Sequence, residues 1–414
     1  MSTLGAVLGL IVAIVLILRG LNAAYSLILG AIIGGLAGGS SLAETVVNMI
    51  DGVKDVTPAI LRIITAGVLS GVLIITGAAS SIAHLIVRKM GEKKAIIAII
   101  FSTFLLAAIG VFIDVAVLTV APIALAIGKS MDYSRMKILF AMIAGGKCGN
   151  IISPNPNTII AAENFKVDLS SVMFANILPA LVGLVIAALL VRFFSNKGEK
   201  ITESLEMKED IQLPPFWSSI LGPFVTILLL AFRPLFGISI DPLIALPVGG
   251  LVGIIAMRKT SLLKKSLAYG LEKMSVVAVL LIGTGTIAGI IKNSDLKDSV
   301  LALLDQLSIS DSFIAPVSGA LMSAITASTT AGATLASASF ADVILAAGIS
   351  AVWGAAMINS SATMLDHLPH GSFFHVTAGS VNMNLKERMK LIGYETCMGF
   401  CLALGTYVCY MFLK

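Results

Sequence analysis

A proline-rich interruption inside a long apolar segment constrains the fold more than any other part of this chain. The interruption, SPNPNT at residues 153–158, places two prolines among small polar residues. Proline lacks a backbone donor and disfavours helix at the residue before it, so a helix that reaches this point must break. Inside a membrane a broken backbone is tolerated only within protein or beside a water-filled cavity. The interruption therefore predicts a binding site at the break.

The composition indicates that this apolar segment belongs to a membrane protein. The 414 residues are 57% hydrophobic and 12% charged, whereas about 25% of a soluble domain is charged. Apolar runs of membrane-spanning length recur along the chain. We predict an all-α polytopic protein of the inner (plasma) membrane, in contact with the lipid bilayer. The sequence has no basic patch interleaved with aromatic residues, so it gives no sign of nucleic-acid binding. It also lacks the GxSxG, HExxH and P-loop motifs that would indicate an enzyme.

Clusters of Lys and Arg in the loops predict the topology. Two basic loops flank the apolar run at residues 95–127, which Gly110 and Asp114 interrupt. Because basic loops stay in the cytoplasm, this run must enter and leave the membrane on one side, as a re-entrant hairpin. A second hairpin is predicted at residues 313–349. The same rule places both termini outside and the charged linker, residues 195–215, in the cytoplasm.

The other apolar runs predict complete crossings joined by polar segments. A polar stretch at residues 44–57 is expected to precede a helix at residues 59–87, and a further helix is expected at residues 275–291. Glu163 and Asp342 are expected near helix ends, where solvent reaches them.

The second half of the chain repeats the plan of the first. Residues 1–194 and 216–414 each contain five predicted crossings and one hairpin, with broken helices at residues 136–162 and 351–383. An odd number of crossings inserts the halves with opposite orientation, so we predict two inverted repeats whose broken helices meet at the membrane midplane. Three pairs of features share one offset in residue number: Gly71 with Gly285 (285 − 71 = 214), Asp114 with Ser328 (328 − 114 = 214), and Pro156 with His370 (370 − 156 = 214).

Four motifs in this order resemble the gluconate permease family of the ion transporter superfamily. They are VFIDVAVLTVAPIALAI from Val111, SPNPNT at residues 153–158, ASTTAGAT at residues 327–334 and DHLPHGSFF at residues 366–374. The resemblance spans most of the chain, although the first break lacks the histidine that the family usually has there. It implies proton-coupled uptake of small hydroxy-carboxylates, a homodimer, and elevator-type movement of a hairpin domain against a scaffold.

The candidate substrate-binding residues lie at the two breaks and at the tip of the second hairpin. Their hydroxyl and amide groups accompany freed backbone groups, and the positive N-termini of half-helices suit a carboxylate. Alternatively, these side chains only satisfy the broken backbone. The candidates are Ser153, Asn155, Asn157, Thr158, Ser328, Thr329, Thr330, His370, Gly371, Ser372 and Lys147.

Ionisable groups inside the membrane are costly and indicate function, so Asp114, Asp366 and His367 are the candidates for ion coupling. We expect Lys147 to pair with Asp114, with the substrate carboxylate, or with each in turn. His367, His370 and His375 near Asp366 do not have the HExxH spacing, and no metal site or cofactor is predicted.

The sequence thus predicts a secondary active transporter for a small organic anion such as gluconate or a related hydroxy-carboxylate, coupled to protons. A sodium-coupled carboxylate carrier and an ion/proton antiporter remain alternatives. A channel would need a continuous polar pore and a membrane-embedded enzyme would need a nucleophile with a base, or a metal.

Overall fold

The computed structural model describes residues 1–91, 94–194, 198–201, 213–238, 240–296, 298–299, 302 and 310–413, except for the side chains of residues 233–235. Helix makes up 81% of the structure, and no β-strand occurs in these residues. The protein is therefore all-α, as predicted. Most of the predicted linker, residues 195–215, lies outside the described residues.

Helices in the first half of the chain run up to residue 193. They are α1 (Thr3–Leu18), α2 (Ala23–Ala37), α3 (Leu42–Ile75), α4 (Ala78–Met90), α5 (Ala95–Ala108), α6 (Ile113–Ser130), α7 (Arg135–Asn150), α8 (Pro156–Asn164), α9 (Leu169–Ala175) and α10 (Ile177–Phe193).

Helices in the second half follow in a similar order. They are α11 (Phe216–Phe236), α12 (Pro242–Ala256), α13 (Leu263–Lys292), α14 (Ile314–Thr326), α15 (Thr329–Ala346), α16 (Ala351–Ser361), α17 (Ser372–Ser380), α18 (Leu385–Met389) and α19 (Ile392–Leu413).

Several helices have the length and apolar character of membrane spans. Within the described residues five are long and apolar enough to cross a bilayer, or six if the bent pair α9 and α10 forms one span. Five further apolar helices are shorter, between 10 and 17 residues. Short and broken helices of this kind need neighbouring protein to complete a crossing, which is consistent with a multi-pass membrane protein.

The polar stretch at residues 44–57 was expected to precede a helix, but it is itself helical and belongs to α3. Ser41 and Glu44 form a capping box, in which Ser41 Oγ accepts the Glu44 N–H and the Glu44 carboxylate accepts the Ser41 N–H. This box starts α3 at Leu42. The predicted helix at residues 59–87 is also wrong at its end, because the chain turns at Gly77 (φ 79°) and continues as α4. Helix α13 begins well before residue 275 and is likewise longer than predicted.

Helices α3 and α13 pack closely at glycines. A Cβ on Gly52 would lie 2.1 Å from the carbonyl oxygen of Gly285, and a Cβ on Gly67 would lie 2.8 Å from that of Gly270. The early part of α3 thus meets the late part of α13, so the two helices are antiparallel. Helices α1 and α2 pack on α13, and α11 and α12 pack on α3. We call these six helices the scaffold group.

The hairpins and broken helices form a second assembly, which we call the core group (α5–α10 and α14–α19). Helices α5 and α6 pair, as do α14 and α15, and α7 and α16 each continue after a break as α8 and α17. Three pairs of helix starts in this group share an offset of 216 in residue number (329 − 113 = 216, 351 − 135 = 216, 372 − 156 = 216), against the predicted 214, whereas α5 and α14 differ by 219 (314 − 95 = 219).

One ion cluster links the two groups. Arg62 on α3 donates to Glu163 on α8 and, at 2.7 Å, to Asp241 before α12. Glu163 lies near the end of α8, as expected, but its side chain is only 23% exposed and pairs with Arg62, so it is only partly solvated. Asp342 is exposed, as expected.

We predict that Gly52→Ala destabilises the protein by about 1–3 kcal/mol, the usual cost of overpacking. The added methyl group meets the backbone of α13, which cannot move aside as a flexible side chain would. The control is Gly393→Ala, because nothing lies within 4 Å of a Cβ at that helical position. Denaturant titration in mixed micelles measures both unfolding free energies. Equal values for the two variants would contradict the close packing described here.

Candidate functional site

The first break lies between α7 and α8, and one asparagine organises it. Oδ1 of Asn155 accepts the backbone N–H of Thr158 at 3.1 Å and its hydroxyl at 3.0 Å. Nδ2 of Asn155 donates to the carbonyl oxygen of Asn150 at 3.0 Å. Pro156 begins the new helix, where a missing N–H costs nothing. The side chain at the N-cap therefore satisfies both sides of the break.

The second break separates α16 from α17 and touches the tip of the second hairpin. A Cβ on Gly371 would lie 2.3 Å from the carbonyl oxygen of Ala327, so the two segments are in backbone contact. Ala327 has a left-handed conformation (φ 45°) at the turn between α14 and α15. His370 is exposed, with Nε2 3.1 Å from the carbonyl oxygen of Ile325. It holds the break to the hairpin.

A small cavity of about 140 Å³ lies where the breaks and hairpin tips meet. A cavity of about 150 Å³ holds a molecule the size of benzene, so this one has room for the head of a small organic acid. Its polar and aromatic lining includes Phe112, Asp114, Asn150, Asn157, Ser328, Thr329, Thr330, Asp366, Ser372 and Phe373.

A large cavity of about 700 Å³ adjoins the small one and lies between the core group and the scaffold group. Phe112, Asp114 and Ser328 line both cavities, as do Thr330 and Ser372. The scaffold contributes the turn between α1 and α2 and one face of α13 to the large cavity. A ligand with its head in the small cavity would therefore extend toward the scaffold.

Four helices begin at the small cavity. Helix α6 begins at Ile113, α15 at Thr329 and α17 at Ser372, and all three residues line the cavity. Helix α8 begins at Pro156, next to the lining residue Asn157. Helix N-termini carry partial positive charge and unpaired N–H groups. This arrangement favours an anion in the cavity.

Lys147 pairs with Asp366, and the predicted pairing with Asp114 is wrong. Nζ of Lys147 donates to Asp366 Oδ1 and to the carbonyl oxygen of Thr363 in the second break. The other carboxylate oxygen of Asp366 accepts from the Thr329 hydroxyl at 2.6 Å. Lys147 is fully buried behind Asp366 and is absent from the cavity lining among the described residues. Its charge compensates a carboxylate of the protein, as burial requires.

His367 extends this buried network. Nδ1 of His367 lies 3.2 Å from Lys147 Nζ and 3.1 Å from Asp366 Oδ1. Its Nε2 lies 3.0 Å from the carbonyl oxygen of Ile392. Glu395 Oε2 is 4.0 Å from Nδ1, and Glu395 forms an ion pair with Arg388, whose guanidinium lies 4.7 Å from the centre of the Phe374 ring. Both residues of that pair are fully buried.

Asp114 has a different environment from Asp366. Its Oδ1 accepts the N–H of the next residue, Val115, at 2.9 Å, so the carboxylate lies in the first turn of α6. Lys273, on the scaffold helix α13, lines the large cavity together with Asp114. An anionic ligand in that cavity would meet the positive charge of Lys273 on the scaffold side.

The structure brings half of the fourteen predicted site residues together at the small cavity. Asp114, Asn157, Asp366, Ser372 and residues 328–330 line the small cavity. The other candidates brace it from behind or lie outside it: Ser153, Asn155, Thr158, Lys147, His367, His370 and Gly371.

Sequence reasoning missed Asn150 and Asn359 at the site, and Lys273 beside it. Asn150 precedes the proline motif inside what looks like ordinary helix, and Asn359 and Lys273 come from other segments. The repeat contains a signal for Asn150, because the structural offset relates it to Asp366 (366 − 150 = 216).

The family model of the GntP family permease matches residues 1–412. The chain belongs to the GntP permease family. It is 50% identical over 404 residues to an uncharacterized transporter of Haemophilus influenzae, covering 97% of this chain and 96% of that protein. It is also 23% identical over 211 residues to a high-affinity gluconate transporter of Escherichia coli, covering 50% of this chain and 47% of that protein. The resemblance inferred from the motifs is thus confirmed.

The fold of this permease is similar to that of a solved transporter. The crystal structure of the Alcanivorax borkumensis YdaH transporter, described as having an unusual topology, matches with a TM-score of 0.66 at 14% identity. The match covers 90% of this chain and 88% of that one. At this identity the likeness concerns the fold alone.

We predict that Lys147→Met lowers the free energy of unfolding by about 3–5 kcal/mol, because it leaves the buried Asp366 carboxylate without its cation. Adding Asp366→Asn should restore part of the loss, since the double variant removes the uncompensated charge. Lys54→Met is the control, because Lys54 and Asp51 form an exposed pair with side chains 71% and 56% accessible. Such a pair contributes about 0–1 kcal/mol. Similar losses for Lys147→Met and Lys54→Met would argue against a buried ion pair.

Proposed function

We propose that this permease is a secondary active transporter that takes up a small hydroxy-carboxylate, such as gluconate, together with protons. The observation that carries the proposal is the convergence of four helix starts on one small polar cavity between two broken helices. Helix N-termini would hold the carboxylate, while hydroxyl and amide groups at the wall would bind the hydroxyls. The similarity to a high-affinity gluconate transporter supports this substrate class.

His367 has the geometry of a proton-binding site. Its Nε2 lies 3.0 Å from the carbonyl oxygen of Ile392, which only accepts, and 3.1 Å from the Thr396 hydroxyl, which can accept or donate, so the carbonyl contact favours a hydrogen on Nε2. A charged Lys147 donates to an unprotonated Nδ1, whereas the Asp366 carboxylate accepts from a protonated Nδ1. The two contacts suit opposite protonation states of one nitrogen. A proton can therefore be held or released here without loss of every hydrogen-bond partner.

We further propose that the core group moves against the scaffold group as an elevator. The large cavity between the groups and the antiparallel packing of α3 on α13 support this movement and an inverted relation between the two halves. The same proposal places both termini outside and the linker in the cytoplasm. The homodimer is proposed from the family resemblance. Exposed apolar side chains on the scaffold helices are compatible with a second subunit as well as with lipid.

Reconstitution into proteoliposomes tests the function. Uptake of labelled gluconate and other hydroxy acids should saturate, show counterflow, and accelerate when the outside is made acidic. Asn157→Ala, which removes an amide from the cavity wall, should reduce uptake at least tenfold while leaving expression unchanged. Stimulation by a sodium gradient alone would favour the sodium-coupled alternative, and non-saturating flux would favour a channel.

We predict that His367→Gln loses acceleration by a proton gradient but keeps counterflow, because exchange of bound substrate needs no net proton movement. His375→Gln is the control. That histidine is exposed, with Nε2 2.8 Å from the carbonyl oxygen of Pro369, and it lies outside the network of Lys147. Proton-driven uptake by His367→Gln at the wild-type rate would exclude His367 as the coupling site.

A further inference from the structure

Hydrogen bonds to backbone groups determine the orientation of the side-chain amides of the buried asparagines near the first break. Nδ2 of Asn359 donates to the carbonyl oxygen of Ile151 at 3.0 Å. A carbonyl oxygen only accepts, so this contact identifies Nδ2 as the donor and leaves Oδ1 of Asn359 as an acceptor. That Oδ1 accepts from Nδ2 of Asn157 at 2.7 Å. Asn157 must therefore direct its own Oδ1 elsewhere.

The free oxygen of Asn157 belongs to the cavity wall. Asn157 lines the small cavity, whereas Asn359 is fully buried behind it. Within the described part of the chain, Oδ1 of Asn157 has no hydrogen-bond donor as a partner. When a ligand fills the cavity and excludes water, an acceptor on the wall that is left without a donor costs free energy. A ligand that donates a hydrogen bond to this oxygen removes that cost.

The amides of Asn155 and Asn150, a second pair at the same break, can be oriented in the same way. Oδ1 of Asn155 accepts the N–H of Thr158, so Nδ2 of Asn155 is the donor that contacts Oδ1 of Asn150 at 2.6 Å. Asn150 also lines the small cavity and is left with Nδ2 as its free group. The wall therefore presents one amide acceptor and one amide donor. A carboxylate only accepts and serves the donor, whereas the acceptor needs a hydroxyl.

We infer that Asn359 is a positioning residue that sets the preference of the transporter for hydroxylated acids. It does so by turning the Asn157 amide so that its oxygen faces the cavity. The inference rests on the proposed function and adds the basis of its selectivity. Sites that hydrogen-bond a substrate hydroxyl discriminate strongly against analogues that lack it, because the buried partner is then left unpaired.

The test is the ratio of affinities for a hydroxy acid and its deoxy analogues. Purified full-length protein is titrated with D-gluconate, 2-deoxygluconate and 3-deoxygluconate, and dissociation constants are measured by calorimetry. In the wild type, at least one deoxy analogue should bind about tenfold more weakly than gluconate, as expected for one lost hydrogen bond to a buried acceptor.

Asn359→Leu should bring this ratio close to one, because the Asn157 amide loses the acceptor that holds its orientation. Asn359→Asp keeps an oxygen for Nδ2 of Asn157, so it should retain the ratio even if overall anion affinity falls. The matched control is Asn176→Leu. Asn176 is also fully buried, and it donates to the carbonyl oxygen of Ala356, which lies on α16 as Asn359 does. Asn176 does not line the cavity. Its loss should lower thermal stability and leave the ratio unchanged.

The outcomes separate the two proposals. If the wild type binds gluconate and both deoxy analogues equally, the inference is overturned even when Asn359→Leu does not fold, while the proposed function stands. An unchanged ratio in folded Asn359→Leu also overturns it. If the wild type binds none of the acids, the proposed function fails and this inference fails with it.

Discussion

The structure depends on how two broken helices satisfy the backbone groups that each break sets free. In a membrane no water is present to form hydrogen bonds with those groups, and leaving them unpaired costs free energy. Side chains supply the missing hydrogen bonds here. Asn155 donates to the carbonyl oxygen of Asn150, Asn359 to that of Ile151, and Lys147 to that of Thr363. The groups that stabilise the breaks are therefore next to the cavity, so stability and binding use the same residues.

Charge balance explains why the cavity can hold an anion although two carboxylates line it. Asp366 is compensated by Lys147 behind the wall and by the Thr329 hydroxyl at the hairpin tip. Asp114 accepts a backbone N–H in the first turn of α6. Side chains already occupy the starts of α6, α8 and α15, whereas the start of α17 has no side-chain cap and stays open to an anion. Because Asp366 contacts both a break and a hairpin tip, a change at either segment reaches the buried lysine.

The sequence predicted where the helices break but not how the breaks are joined. Proline and polar residues inside apolar runs are local signals, and they placed Asn157, Asp366 and residues 328–330 at the site. The partner of Lys147 lies in the other half of the chain, where no local pattern could reveal it. The repeat offset was predicted as 214, whereas the starts of α6 and α15 give 216 (329 − 113 = 216). At the structural offset Lys147 corresponds to Thr363 (363 − 147 = 216), which is one of its hydrogen-bond acceptors in the second break.

Polar stretches misled the prediction at α3 because a long amphipathic helix can carry charges outside the apolar zone. Arg62 shows the consequence, since it lies on that helix and contacts Glu163 of the core group and Asp241 of the scaffold group. The proposed elevator movement would separate Arg62 from Glu163, whereas Asp241 remains on the same group and keeps the guanidinium paired. Sharing one cation between two carboxylates lowers the cost of releasing the core, because the released state leaves no unpaired arginine. The carboxylate that departs is only partly buried, so water can solvate it as it leaves.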